Sequence, residues 1–242
     1  MPRLSRIVLA DTPHHVTQRG NRRQRLFLER GDYELYRDLL AERCRANAVA
    51  CWAYCLMPNH VHLVLTPAAP ERLARAVGEA HRRYTAFFNA RARTTGHLFQ
   101  GRFYSVAMDE PHLMAALRYV ALNPVRAGLC ARAQDWTWSS ASAHLAGRDD
   151  ALVSVAPALD RAPRFADLLQ SDCTDEAMWG EIVARSAVGR PVGGADFLAA
   201  AETAVGRPLA AQKRGRRPGR GAPASSADGL RGRSVAFAPP PC

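Results

Sequence analysis

The chain has 242 residues, 48% of them apolar, with a formal net charge of +11 and a pI near 10.1. That length suits one sizeable core with appendages, and no apolar run approaches the roughly 20 residues of a membrane span, which argues against a membrane protein. So positive a charge calls for a polyanionic partner. With no signal-like stretch at the N-terminus, the expectation is a cytoplasmic, nucleoid-associated protein.

In chain order, Pro13 to Asn21 reads as a first strand that leaves through a basic loop, Arg19 to Arg25. Asp32 has the character of an N-cap, and Leu35, Leu39 and Leu40 recur at helical spacing, predicting a helix to Arg45 or Ala46. Strands over Val49–Leu56 and His60–Thr66 follow, joined by a Met57-Pro58-Asn59 turn. A second helix, Glu71 to Arg93, carries an apolar stripe of Leu73, Val77, Ala80, Tyr84, Phe87 and Phe88, with Arg82 and Arg83 on its other face. Gly96 to Phe103 is a glycine-flanked loop with aromatics and Arg102; Tyr104–Met108 is a short strand. Asp109 or Glu110 caps a third helix, expected to stop at Asn123 because Pro124 disfavours helix in the residue before it.

The order β-α-β-β-α-β-α predicts an α+β fold, a ferredoxin-like antiparallel sheet with helices on one face and the other face free for a ligand. Residues 1–146 form this expected domain and 147–170 a linker. Residues 171–209 form a helical DNA-binding appendage of two helices, each ending in Gly-Arg-Pro. Residues 210–242 form a basic tail of disordered composition. The six cysteines are scattered; Cys51 and Cys55 lack a second pair to complete a zinc site and are expected to be buried apolar residues.

Chemistry concentrates in the second strand of the hairpin. A strand's side-chain period of two puts His60 and His62 on one face and Val61, Leu63 and Leu65 on the other. Alone, His-x-His fits ordinary strand histidines as well as a metal pair. The third helix adds Tyr119 and Asn123, four residues apart on one flank and off the stripe of Leu113, Leu117 and Val120. Imidazoles and an amide oxygen are metal ligands, and a tyrosine hydroxyl facing a metal is a plausible nucleophile for a phosphodiester. His112, two turns earlier on that flank, is a candidate proton carrier.

Met57-Pro58-Asn59-His60-Val61-His62-Leu63-Val64 resembles the HUH motif of single-tyrosine transposases, and Arg118 to Leu129 resembles their tyrosine helix. His15 to Asn21, Gly96 to Phe103 and Trp138-Ser139-Ser140 resemble further stretches of that superfamily, so the likeness spans roughly residues 10 to 145. The Gly-Arg-Pro pieces and basic tail are similar to the REP-associated tyrosine transposases, although the tail reads Arg214-Gly215-Arg216-Arg217-Pro218, with one arginine more than an Arg-Gly-Arg-Pro hook. The resemblance implies a transposase that cuts and rejoins single-stranded or hairpin DNA through a 5′-phosphotyrosine. Tyr119 would be its nucleophile, with Mg²⁺ or Mn²⁺ held by His60, His62 and Asn123. Arg19, Arg22, Arg23, Arg82, Arg83, Arg102, Arg126, Lys213, Arg214, Arg216 and Arg217 are the expected DNA-binding residues. Two other readings stand beside it: a hairpin-DNA-binding protein with an idle site, and a metal-dependent phosphohydrolase that uses water.

Overall fold

A computed structural model describes residues 6–170 and 175–209. Strands β1 (His14–Arg19), β2 (Val49–Met57), β3 (His60–Pro67) and β4 (Tyr104–Ala107) form a sheet of order β2-β3-β1-β4, each neighbouring pair antiparallel. Helices α1 (Arg30–Ala46), α2 (Pro70–Ala92) and α3 (Glu110–Arg126) complete the expected β-α-β-β-α-β-α order. Beyond them come α4 (Ala141–Ala146), α5 (Ala156–Leu159), α6 (Phe165–Gln170), α7 (Asp175–Val188) and α8 (Ala195–Val205).

Local chemistry sets the helix ends. Asp32 acts three residues inside α1 rather than as its N-cap: Glu29 is the cap, and the Leu28 and Glu29 N–H groups donate to Asp32 Oδ2 at 2.7 and 3.1 Å. In α2 the predicted stripe is buried except for Phe87, which stays 39% exposed. The third helix runs through Pro124 to Arg126 instead of stopping at Asn123. A proline so near a helix end forfeits one hydrogen bond, and the Ala127 N–H still closes the turn on Asn123 O at 3.0 Å.

Strand alternation divides the core in two. Val16, Val61, Leu63 and Leu65 face α1 and α2, packing on Tyr36, Leu40, Leu73, Val77 and Tyr84. Cys55, Met57, Val64 and Val106 face the other way, onto Leu113, Leu117 and Val120 of α3 and Ile182 of α7. The face expected to be free is therefore partly roofed by α3 and α7. The sheet register slips by one residue between Cys51 and Ala53, so Cys51 joins the first core and Cys55 the second. Both thiols are buried, as expected.

Residues 147–170, expected as a linker, are instead packed structure: Val153, Val155, Ala158 and Phe165 are buried, and the Ser154 N–H donates to Cys51 O at 2.9 Å. The expected appendage is likewise built into the domain. Ile182 of α7 is fully buried beside α3, and Ala201 of α8 packs with Ile7, Leu9 and Ala107. Gly206, at φ +64, ends α8 in the left-handed conformation that the Gly-Arg-Pro punctuation predicts.

Candidate active site

The register of β1 against β3 sets Thr17 beside His62 and Arg19 beside His60. Alternation adds His15 to the same face. His15 Nε2 lies 2.9 Å from His62 Nδ1, and the two rings stack at 5.2 Å. His60 Nδ1 lies 2.7 Å from Asn59 Oδ1, an acceptor, so that nitrogen carries the proton and Nε2 keeps its lone pair. The rings of His60 and His62 are 4.9 Å apart, nearly perpendicular. Burial, reinforced by Arg19, pushes the His60 imidazole down to about 4. Burial, with His15, His60 and Arg19 as further causes, holds His62 well below the usual histidine range. Both rings are neutral at pH 7, the form that binds metal.

Tyr119 reaches this pair from α3 of the same chain, its ring 5.6 Å from His62. Trp179 of α7 lies flat on Tyr119, centroids 3.4 Å apart, and presents an edge to His15 and His62 at 5.0 and 5.8 Å. The Arg126 guanidinium sits 5.3 Å from the centre of the Tyr119 ring on its face. A cavity of about 340 Å³ is lined by His60, His62, Tyr119 and Trp179, with Arg19, Gln100 and Tyr104 among its other walls.

Three expected residues thus converge: His60, His62 and Tyr119. Arg19 joins them in the wall, Arg126 lies over the Tyr119 ring, and Arg102 lines an adjoining cavity. Asn123 is buried one turn beyond Tyr119 and does not line the site cavity. His112 is held by Asp109 at 2.6 Å and Glu181 at 3.4 Å and is also absent from the lining, so it serves the start of α3 rather than proton transfer. Arg22 and Arg23 are exposed in the loop after β1. Arg82 and Arg83 are exposed on α2, in the layer across the sheet from the histidines, and Arg83 pairs with Glu42 at 3.2 Å. Lys213, Arg214, Arg216 and Arg217 lie outside the described residues.

The histidine pair suits a divalent cation. Each imidazole is neutral and has one nitrogen engaged by a neighbour, as metal-binding histidines generally do. The described residues contain no cluster of three or more histidine, cysteine or acidic side chains placed to hold a metal, so ligands beyond the pair would come from other protein donors or from the substrate.

Residues 10–123 match the family model described as IS200-like transposase. That is 114 of the 242 residues, and this part of the chain is similar to the family. The match opens ahead of β1 and closes on Asn123, so it takes in the histidine pair and Tyr119. Among solved structures, the chain is similar to a REP-associated tyrosine transposase bound to a REP hairpin. The TM-score is 0.53 and the identity 20%, over 64% of this chain and 92% of that one. That likeness speaks to the fold. A Deinococcus radiodurans protein described as a transposase aligns at TM-score 0.36 and 19% identity, over 53% of this chain and 98% of that one. No curated protein matches the chain in sequence.

Proposed function

We propose that the chain cuts and rejoins single-stranded or hairpin DNA, with Tyr119 as nucleophile, in the manner of the REP-associated branch. The observation that carries this reading is Tyr119 against His62, in one cavity with His60 and Arg19. The similar solved structure holds a REP hairpin, which supports hairpin DNA as the partner. In the proposed step Tyr119 Oη bonds to phosphorus as the phenol loses its proton, and the bond from phosphorus to the 3′ oxygen breaks. That oxygen leaves with a proton, the 5′ phosphate stays on Tyr119, and the reverse reaction rejoins a strand. Arg19 and Arg126 offset negative charge around the phosphate. Mg²⁺ or Mn²⁺, held by His60 and His62 with Asn123 as a proposed further donor, would polarise the phosphate and stabilise its developing charge when bound.

One observation favours a second reading. Trp179 covers the Tyr119 ring, which suits a hairpin-binding protein whose cutting is idle. Labelled hairpin with a single-stranded flank, incubated with Mn²⁺ or Mg²⁺ and run on a denaturing gel, separates the readings. The expected result is a covalent protein–DNA adduct that Tyr119→Phe removes while DNA binding survives. Wild-type adduct levels in the variant would overturn the nucleophile. Binding without adduct in either metal would favour the idle site, and cut DNA free of protein would favour attack by water.

A further inference from the structure

Trp179 touches both halves of the candidate site. Its indole lies flat on Tyr119, centroids 3.4 Å apart and planes 12° from parallel, and turns its edge to His15 and His62. It comes neither from the sheet nor from α3 but from α7, the helix that roofs them. Along α7, Trp179, Val183, Ser186 and Ala187 fall at i, i+4, i+7 and i+8 and line the catalytic cavity as one helical face.

The helix is well anchored at that point. Ile182, three residues after Trp179, is fully buried with Leu113, Leu117 and Val120 of α3. The neighbouring Glu181 carboxylate lies 3.4 Å from Nε2 of His112, near the start of α3. The indole is therefore carried by a helix fixed to the same α3 that carries Tyr119.

Tyr119 needs such a partner. It lies off the core stripe of α3 and is half-buried, and a helical tyrosine in that position has more than one staggered rotamer open to it. Choosing one costs conformational entropy, which a packed neighbour offsets. Stacking covers the face of a ring and leaves its rim free. The hydroxyl is on the rim, so Trp179 can hold the ring without closing off the oxygen, and Tyr119 still lines the cavity. Against His62 the same ring stands nearly perpendicular, at 71°.

Resting on the reading of Tyr119 as nucleophile, we infer that Trp179 is a positioning residue: it clamps the Tyr119 ring in the orientation that sets it against His62, so that the attacking oxygen is aligned before DNA arrives. It takes no part in making or breaking bonds. Small displacements of a reacting group cost large factors in rate, and an aromatic pair is worth up to about tenfold in a conformational equilibrium.

The test compares full-length Trp179→Phe, Trp179→Leu and Trp179→Ala with the wild type. The rate of adduct formation is measured in a single turnover, with Mn²⁺ and saturating hairpin that carries a single-stranded flank. Trp179→Leu and Trp179→Ala are expected to slow it about tenfold with the hairpin Kd at its wild-type value. Trp179→Phe, which keeps a flat ring, should restore most of the rate. Faster adduct formation in Trp179→Ala would make the indole a cover that shuts the site, and equal rates in Trp179→Leu and Trp179→Phe would mean that apolar bulk suffices. Either result overturns the clamp, as does a hairpin Kd that weakens by the same factor as the rate. A second measurement needs no chemistry. In protein labelled with 3-fluorotyrosine, the Tyr119 ¹⁹F resonance, assigned by its loss in Tyr119→Phe, should carry the ring-current shift of the indole and move in Trp179→Leu. An unmoved resonance overturns the clamp whatever the rates. A resonance that moves in a protein forming no adduct upholds the clamp and overturns the cutting reading instead.

Discussion

His62 Nδ1 lies 2.9 Å from His15 Nε2, and with Nδ1–H as the donor its Nε2 keeps the lone pair that a metal would need. His15 is fully enclosed, burial pushes it down to about 3, and its Nδ1 has no partner. It is therefore a neutral positioning residue, fixing the ring of His62 rather than touching substrate. Partners of this kind typically change metal affinity about 10- to 100-fold. His15→Ala is expected to weaken Mn²⁺ binding by that factor, read by calorimetric titration, with the protein still folded by circular dichroism; an unchanged dissociation constant would remove His15 from the site. At this scale much of the site's geometry was legible in the sequence. A period of two placed His60 and His62 together, and a helical wheel set Tyr119 apart from its core stripe. The same alternation puts His15, Thr17 and Arg19 on one face, so pairing the first strand with the third was the signal that could have revealed His15. Asn123 and Tyr119 share a flank at four-residue spacing, yet only Tyr119 lines the cavity. A wheel gives direction around a helix but not depth along it.

Among the elements, α7 departs most from expectation. Its apolar positions Trp179, Ile182 and Val183 announce one amphipathic face but not its partner, because α3 lies some 60 residues back in the chain. Long-range pairing of that kind leaves no local mark, so the helix read as an appendage and Trp179 went unnoticed. The four strands and first three helices were legible because each has its own periodicity and punctuation. The second roof on the sheet was not, since only tertiary contact decides which face a later helix covers. If α7 is part of the core, truncating Ile182, which is 0% exposed between α3 and the sheet, leaves a cavity. Ile182→Ala should cost about 2–5 kcal/mol, read as a lower urea midpoint with an unchanged slope. A cost below about 0.5 kcal/mol would mean that α7 rests on the domain without helping to hold it.

Over the whole molecule, charge is unevenly shared. Residues 210–242 carry seven of the 33 basic side chains and one of the 22 acidic ones, which is +6 of the net +11. The remaining 209 residues are close to ordinary in charge, and many of their arginines are spent on local carboxylates: Arg43 on Glu79, Arg83 on Glu42, Arg91 on Glu29, Arg132 on Asp135. Arginines already paired at the surface release few DNA counterions, whereas a basic run with one acid among 33 residues is free to do so. The tail should therefore set the strength and salt dependence of DNA binding. A chain ending at Leu209 is expected to bind hairpin DNA more weakly, with a log–log salt slope shallower by about 3. That corresponds to losing phosphate contacts from Lys213, Arg214, Arg216 and Arg217 at about 0.7–0.9 each. An unaltered slope would make the tail a spacer.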